Sequence, residues 1–454
     1  MSEILFQYYQ VNPTTWFYLS SLLSIALFFK FNRVWSIRNL DLLGLVLLAP
    51  GLIGVVYGTD KGDETLLHIG YIWLFTVSAA FLVRMLADSI MVRRPLLEPN
   101  LTTGGLVFLG VSLLVFLLAN VITSPPQQSD LAAAAASAAK PPAAREEATA
   151  ADPLERLGPG YPLLFTLPRI SAQRIFSPDA DGSGMVEEDA RASTVNETTA
   201  RVMAILSQLA IVAGMVVTGW WHFGNLRLGV AAAVLYLLLP YTALMTGRVD
   251  HALPGALVIW AVAAYRQPLV AGFLIGAAMG TIYYPVFLLP LWCSFYWERG
   301  IRRFATGVAV ALAVLVLALL ERSRDLAIFG GQVRQMFGWI FPNEVTLEGF
   351  WALPANDAVF RLPVLAAFVA MMATLAIWPS PKNLGTLMSC TAAVLIGAQF
   401  WKAHDGGLFM AWFMPVLLLV VFRPNLENRV ALLVLEPEWF PRRGRRAEIG
   451  RAHV

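Results

Sequence analysis

Thirteen apolar runs, beginning near Trp16, Leu42, Ile69, Gly104, Val202, Leu226, Ala252, Leu269, Val286, Phe304, Leu362, Leu384 and Leu408, constrain this chain more than any other feature. Crossing the hydrocarbon layer takes about 20 mostly apolar residues per helix, and most of these runs approach that length. Only 14% of the residues are charged and 57% are hydrophobic, with a mean hydropathy of +0.63. An average soluble domain carries about 25% charged residues. The expected fold is therefore all-α: a polytopic transmembrane bundle of about 11–13 spans with one long extracytoplasmic loop. The partner this implies is the lipid bilayer.

Connectors between the runs set the orientation, because short cytoplasmic loops retain Lys and Arg. Lys30, Arg33 and Arg38 follow the first run, Arg84, Arg93 and Arg94 the third, and Arg299, Arg302 and Arg303 precede the tenth. The connector Asp60-Lys61-Gly62-Asp63-Glu64 has the opposite character. This pattern puts the N-terminus outside and the Arg-rich C-terminus in the cytoplasm, in a multi-pass protein of the cell's inner (plasma) membrane. The first fifteen residues hold no Lys or Arg, so the first run is expected to remain as an anchor rather than be removed as a signal peptide. Basic residues are spread among the connectors and the tail and form no single patch, so a nucleic-acid partner is not expected. Cys293 and Cys390 both sit in apolar runs and offer neither a disulfide framework nor a thiolate zinc site.

Arg266 and the Glu298–Arg303 cluster both have cytoplasmic character, yet only one stretch, AGFLIGAAMGTIYYPVFLLPLWCSFYW, lies between them. Two short helices meeting at Tyr283-Tyr284-Pro285 reconcile the two, since proline bars a continuous helix and short helices need protein or a cavity beside them. Residues 124–200 form the one long polar region, opening with SPPQQSDLAAAAASAAKPPAAREEATAADP. Such Ala-, Pro- and Glu-rich sequence buries too little surface to offset its ordering entropy, and partial disorder is expected. Four regions follow: an N-terminal four-helix module (1–123), the loop (124–200), a transmembrane core (201–425) and a basic tail (426–454). A second outer loop, 321–360, holds Phe329, Met336, Phe337, Trp339, Ile340, Phe350 and Trp351 and has the character of an interfacial segment.

Ionisable residues near membrane depth are costly and so are candidates for function. In this topology Asp60, Asp63, Glu64 and His68, then Arg248, Asp250 and His251, and finally Lys402, His404 and Asp405 fall on one outer face with Tyr283 and Tyr284. A His adjoins an Asp twice, at Asp250-His251 and His404-Asp405, an arrangement suited to acid–base chemistry or metal ligation. Each residue also has a plainer role open to it, as a loop residue or helix-end charge. The segment from Asp179 to Ala190 resembles an EF-hand loop. Asp179, Asp181, Ser183 and Glu187 would be the oxygen ligands of a divalent cation, the one cofactor the chain's motifs raise, although Ala190 stands where the bidentate Glu belongs.

From about 202 to 422 the chain resembles the GT-C superfamily of membrane glycosyltransferases, and in particular its polyprenyl-phosphate-mannose-dependent mannosyltransferases. The resemblance is carried by Gly224-Asn-Leu-Arg227, by LYLLLPYTALMTGRVDHALPGAL, by AGFLIGAAMGTIYYPVFLLPLW and by FMAWFMPVLLLVVF. It implies a polyprenyl-phosphate sugar as donor and an acceptor on the extracytoplasmic face. Asp250, with His251, His404 and Asp405, would be catalytic; Arg248 or Lys402 would hold the lipid phosphate, beside Tyr283 and Tyr284. It further implies a catalytic acid in the first large outer loop, where Asp179, Asp181, Glu187, Glu188 and Asp189 are available. Two other readings remain open: a transporter or flippase of an amphiphile, and a non-catalytic assembly protein. The nearly charge-free centres of the spans count against coupled ion transport.

Overall fold

The computed structural model describes residues 13–91, 97–137, 157–158, 160–176, 185–322, 329–330, 333, 347, 349–353, 358–401 and 409–435. Its helices run in chain order as α1 (Pro13–Phe28), α2 (Ile37–Lys61), α3 (Glu64–Leu86), α4 (Thr103–Thr123), α5 (Gln128–Ala136), α6 (Tyr161–Leu164), α7 (Thr166–Phe176), α8 (Met185–Trp221), α9 (Leu226–Leu238), α10 (Pro240–Met245), α11 (Val249–Ala263), α12 (Pro268–Thr281), α13 (Leu289–Tyr296), α14 (Ile301–Arg322), α15 (Arg361–Ile377), α16 (Leu384–Trp401), α17 (Met414–Phe422) and α18 (Ala431–Val434). No strand occurs among the described residues. Six helices are long and apolar enough to cross a membrane, and six further apolar helices have 10–17 residues. The protein is an all-α polytopic membrane bundle. Every apolar run in the sequence corresponds to a helix. The last of them, α17, has nine residues, all buried, as a short helix at membrane depth must be.

Local chemistry explains where the helices stop. Ser36 caps α2 and Asp63 caps α3, the Asp63 side chain accepting from the Leu66 N–H at 3.1 Å. Between them Gly62 adopts φ +65°, a left-handed turn that glycine enters without steric cost. Asp60, Asp63 and Glu64 are exposed at this hairpin, where Asp63 makes the cap. At the expected break, α12 ends at Thr281, Ile282 is extended, and a 3-10 turn over Tyr284–Leu288 leads into α13. Pro285 in that turn has no N–H to continue the helix.

Two expectations need correction. Residues 128–136, inside the tract expected to be disordered, form α5, with Asp130, Ala133 and Ala134 fully buried. Alanine is the best helix former, and hydrogen bonds from α6 and α7 hold this helix down. The remainder of that tract, 138–156, lies outside the described residues. In the second outer loop, Trp351 is buried and donates its indole N–H to the Phe400 carbonyl at 2.8 Å. Phe350 stacks on Phe75 of α3 with ring centroids 4.1 Å apart. These two rings pack on the bundle instead of lying at an interface, while Met336, Phe337, Trp339 and Ile340 lie outside the described residues.

Helices α12 and α14 approach so closely that a Cβ on Gly272 or Gly307 would fall on the carbonyl oxygen of Phe304 or Leu269. Small residues allow this backbone contact where burial from lipid supplies little driving force. The first four helices do not close a core of their own. Helix α3 packs on α16 and α4 on α9, and one continuous buried cluster extends from Phe28 to Leu435. At one end of the bundle this union is ionic. Arg84 grips both oxygens of Asp41 at 2.7 and 2.9 Å and one of Asp88 at 2.9 Å, and Arg423 holds the other Asp88 oxygen at 2.7 Å. Arg38 donates to the backbone carbonyl of Arg423 at 3.2 Å. Gly385 leaves the space that the Arg423 guanidinium occupies.

Candidate functional site

The site forms where α5, α6, the start of α11 and the turn before α17 meet. Arg248 precedes α11, and Asp250 and His251 lie in its first turn. All three lie together at this junction. Arg248 closes a two-pronged contact on Asp250, Nε to Oδ1 at 3.2 Å and Nη2 to Oδ2 at 2.8 Å. Both Asp250 and His251 are buried. The His251 Nδ1 shares a hydrogen bond of 2.5 Å with the Tyr241 hydroxyl, and its Nε2 stands 3.9 Å from Asp250.

The residue that sequence reasoning missed is Asp130. Fully buried on α5, it accepts from the Tyr161 hydroxyl at 2.6 Å and from the Val249 N–H at 3.2 Å. The second bond ties the loop helix directly to the residue before Asp250. Burial pushes the Asp130 carboxyl up and the Asp250 charge pushes it further, to about 7, against lowering by Tyr161, the Val249 N–H and Arg248. Burial, together with the two carboxylates, raises Tyr161 well above its ordinary range, so its hydroxyl remains a donor. Tyr161 is placed in turn by the Gly158 and Gly160 N–H groups, which donate to the carbonyls of Thr281 and Gly280 at 2.8 and 2.9 Å. A Cβ on Gly158 would fall on the Gly280 carbonyl oxygen. From α7, Arg169 reaches the Ala134 carbonyl at the end of α5 and the Asn196 side chain on α8. One clue to Asp130 was available: it is the only acidic residue between Ser124 and Arg145.

Aromatic rings connect this polar centre to the break between α12 and α13. Phe409 packs on His251 at 4.6 Å and stacks on Trp412 at 4.4 Å; Trp412 meets Tyr284 at 4.5 Å, and Tyr284 meets Tyr283 at 4.5 Å. The Trp412 indole N–H donates to the Asp250 carbonyl at 3.1 Å. Tyr283 and Tyr284 therefore border the site, one aromatic layer away from the carboxylates. Both are buried.

Lys402, His404 and Asp405 lie outside the described residues, as do Asp179, Asp181 and Ser183. Glu187 falls in the first turn of α8. Among the described residues no group of three or more His, Cys, Asp or Glu side chains is arranged to hold a metal ion. His222 is a structural residue, bonded through Nε2 to the Ala263 carbonyl at 2.6 Å.

Two carboxylates at one buried site, one bound to arginine and the other titrating near neutrality, can divide a proton-transfer reaction between them: the first supplies a fixed negative charge and the second exchanges a proton. No protein-family model, curated protein or solved structure matches the chain.

Proposed function

We propose that this integral membrane protein transfers a sugar from a polyprenyl-phosphate donor to an acceptor hydroxyl on the extracytoplasmic face. The observation that supports this most is the pairing of Asp130 with Asp250. A general base works best with a pKa near the operating pH, and Asp130 meets that condition. Asp250, the stronger candidate from sequence, is committed to Arg248. In this reading the roles divide: Asp130 takes the acceptor proton, the acceptor oxygen bonds to the anomeric carbon, and the bond from that carbon to the phosphate oxygen breaks. The polyprenyl phosphate leaves as the anion. Arg248 and Asp250 orient the site, and Tyr161 holds Asp130 in place. Both carboxylates are buried, so acceptor entry parts α5 from α11, breaking the bond from the Val249 N–H to Asp130.

Transfer is measured from labelled polyprenyl-phosphate mannose and glucose to membrane acceptors, in vesicles holding wild-type protein, Asp130→Asn, Asp250→Asn or no protein. Protein-dependent transfer that both substitutions abolish is the expected result. Folded wild-type protein that transfers from neither donor would sink the proposal and favour movement of an amphiphile across the bilayer.

A further inference from the structure

Most buried cations of this protein have evident compensation. Arg84 and Arg423 have Asp41 and Asp88, Arg248 has Asp250, and Arg38 donates to two backbone carbonyls. Arg361 differs. It is the first residue of α15 and only 3% exposed. Its Nε donates to the Trp401 carbonyl at 2.8 Å, but its buried Nη1 has no hydrogen-bond partner. Among the described residues it makes no ion pair, and no acidic residue occupies the first turn of α15. The side chains of Tyr283 and Tyr284, at the break, are the other groups that bear on its charge.

A buried guanidinium without a carboxylate is costly, and here the positive end of the helix dipole adds to the charge. A second unmet donor belongs to the residue that Arg361 binds. Trp401, whose carbonyl takes the Arg361 Nε, has a buried indole N–H with no partner. Two unmet N–H donors, one of them on a cation that meets no carboxylate among the described residues, ask for an oxyanion. The surroundings also suggest its class. Phe287, Phe368 and Trp401 form a ring cluster below, with centroids 5.1–6.3 Å apart, and Val359, Phe360 and Leu362 beside Arg361 are exposed apolar residues.

We propose that Arg361 and the Trp401 indole form a seat for the phosphate group of an amphiphile, with the hydrocarbon leaving along the Phe287–Phe368 rings. Assigning that amphiphile to the sugar donor rests on the glycosyl-transfer reading, but its binding does not. Arg248, engaged with Asp250, is thereby relieved of the phosphate-holding role that the family resemblance implied for it.

The full chain in detergent micelles is titrated with farnesyl phosphate, farnesol and inorganic phosphate, reading the shift in melting temperature and the Kd. Arg361→Met keeps the side-chain length without the charge, Arg361→Lys keeps the charge without the fork, and Trp401→Phe removes only the indole donor. Farnesyl phosphate should stabilise the wild type. Its Kd should weaken at least tenfold in Arg361→Met, less in Arg361→Lys and severalfold in Trp401→Phe, while farnesol gives no shift. Equal farnesyl phosphate affinity in wild type and a folded Arg361→Met would overturn the seat. If Arg361→Met does not fold, unchanged affinity in Trp401→Phe and Arg361→Lys does so instead. Free phosphate binding as tightly as farnesyl phosphate overturns the amphiphile assignment. Arg361-dependent binding by a protein that transfers no sugar upholds the seat and removes only the transferase reading.

Discussion

Replacing Asp130 with Asn should change how stability depends on pH, in a direction opposite to the usual salt-bridged carboxylate. The folded-state value is raised from 3.8 to about 7, first by burial and then by Asp250. Below pH 3.8 the carboxyl is protonated in both folded and unfolded chains. Between 3.8 and about 7 the folded chain keeps a proton that the unfolded chain has lost, so each rising pH unit disfavours folding by ~1.4 kcal/mol. Above about 7 both states are ionised and the slope ends. Going from about pH 5.5 to about pH 8 therefore costs the wild type about 2 kcal/mol through this group, and costs the Asn variant nothing through it. Unfolding both proteins by SDS titration in mixed micelles, with helicity as the signal, gives the variant-minus-wild-type difference. Titrating groups remote from Asp130 cancel in it. The difference should grow in favour of Asn by about 2 kcal/mol over that range. A difference independent of pH, or one growing in favour of the wild type, would refute the claim that Asp130 is a carboxyl held above its ordinary range.

If Asp130 is the base, the rate of sugar transfer should fall about tenfold per pH unit on the acid side of neutrality, and a flat acid limb would assign the base elsewhere. Gly158→Ala should lose about 1–3 kcal/mol and most of the transfer activity, because its Cβ meets the Gly280 carbonyl. Gly104→Ala, with open space around it, serves as a control that changes neither in the same SDS titration and transfer assay. Asp88→Ala strips Arg423 of its carboxylate and Arg84 of one of two, and should cost about 3–5 kcal/mol by SDS titration. Trp412→Phe removes the hydrogen bond to the Asp250 carbonyl and should cost about 1 kcal/mol in the same assay.

The helices were legible because hydrophobic runs report membrane depth directly. Each run, down to the nine residues of α17, reappears as a helix, and Pro285 marks the break between α12 and α13. Arg248, Asp250 and His251 were legible for a related reason: charges at the edge of an apolar run stand out. Asp130 was not. Its alanine-rich surroundings have the composition of a linker, and what orders them comes from elsewhere in the chain: the Tyr161 hydroxyl, the Arg169 guanidinium and the Val249 N–H. Arg361 was hidden in another way, since an arginine at the start of a span has the ordinary character of a flanking residue. Only its burial and the unpaired Nη1 of its guanidinium distinguish it.

The ion-pair lattice has a consequence for the order in which the chain assembles. Asp41, Arg84 and Asp88 meet as soon as α2 and α3 have entered the membrane, and Arg84 alone can then hold both carboxylates. With Arg38 on α2 acting on Asp41 as well, that early group already sets two guanidiniums against two carboxylates. A third guanidinium, Arg423, lies 335 residues beyond Asp88, at the end of α17. The first helices therefore wait for two contacts, Arg423 on Asp88 and Arg38 on the Arg423 carbonyl, through the synthesis of almost every other span. The closing of α17 against them is a latch on the finished bundle, since a chain stopped before Arg423 would form neither contact.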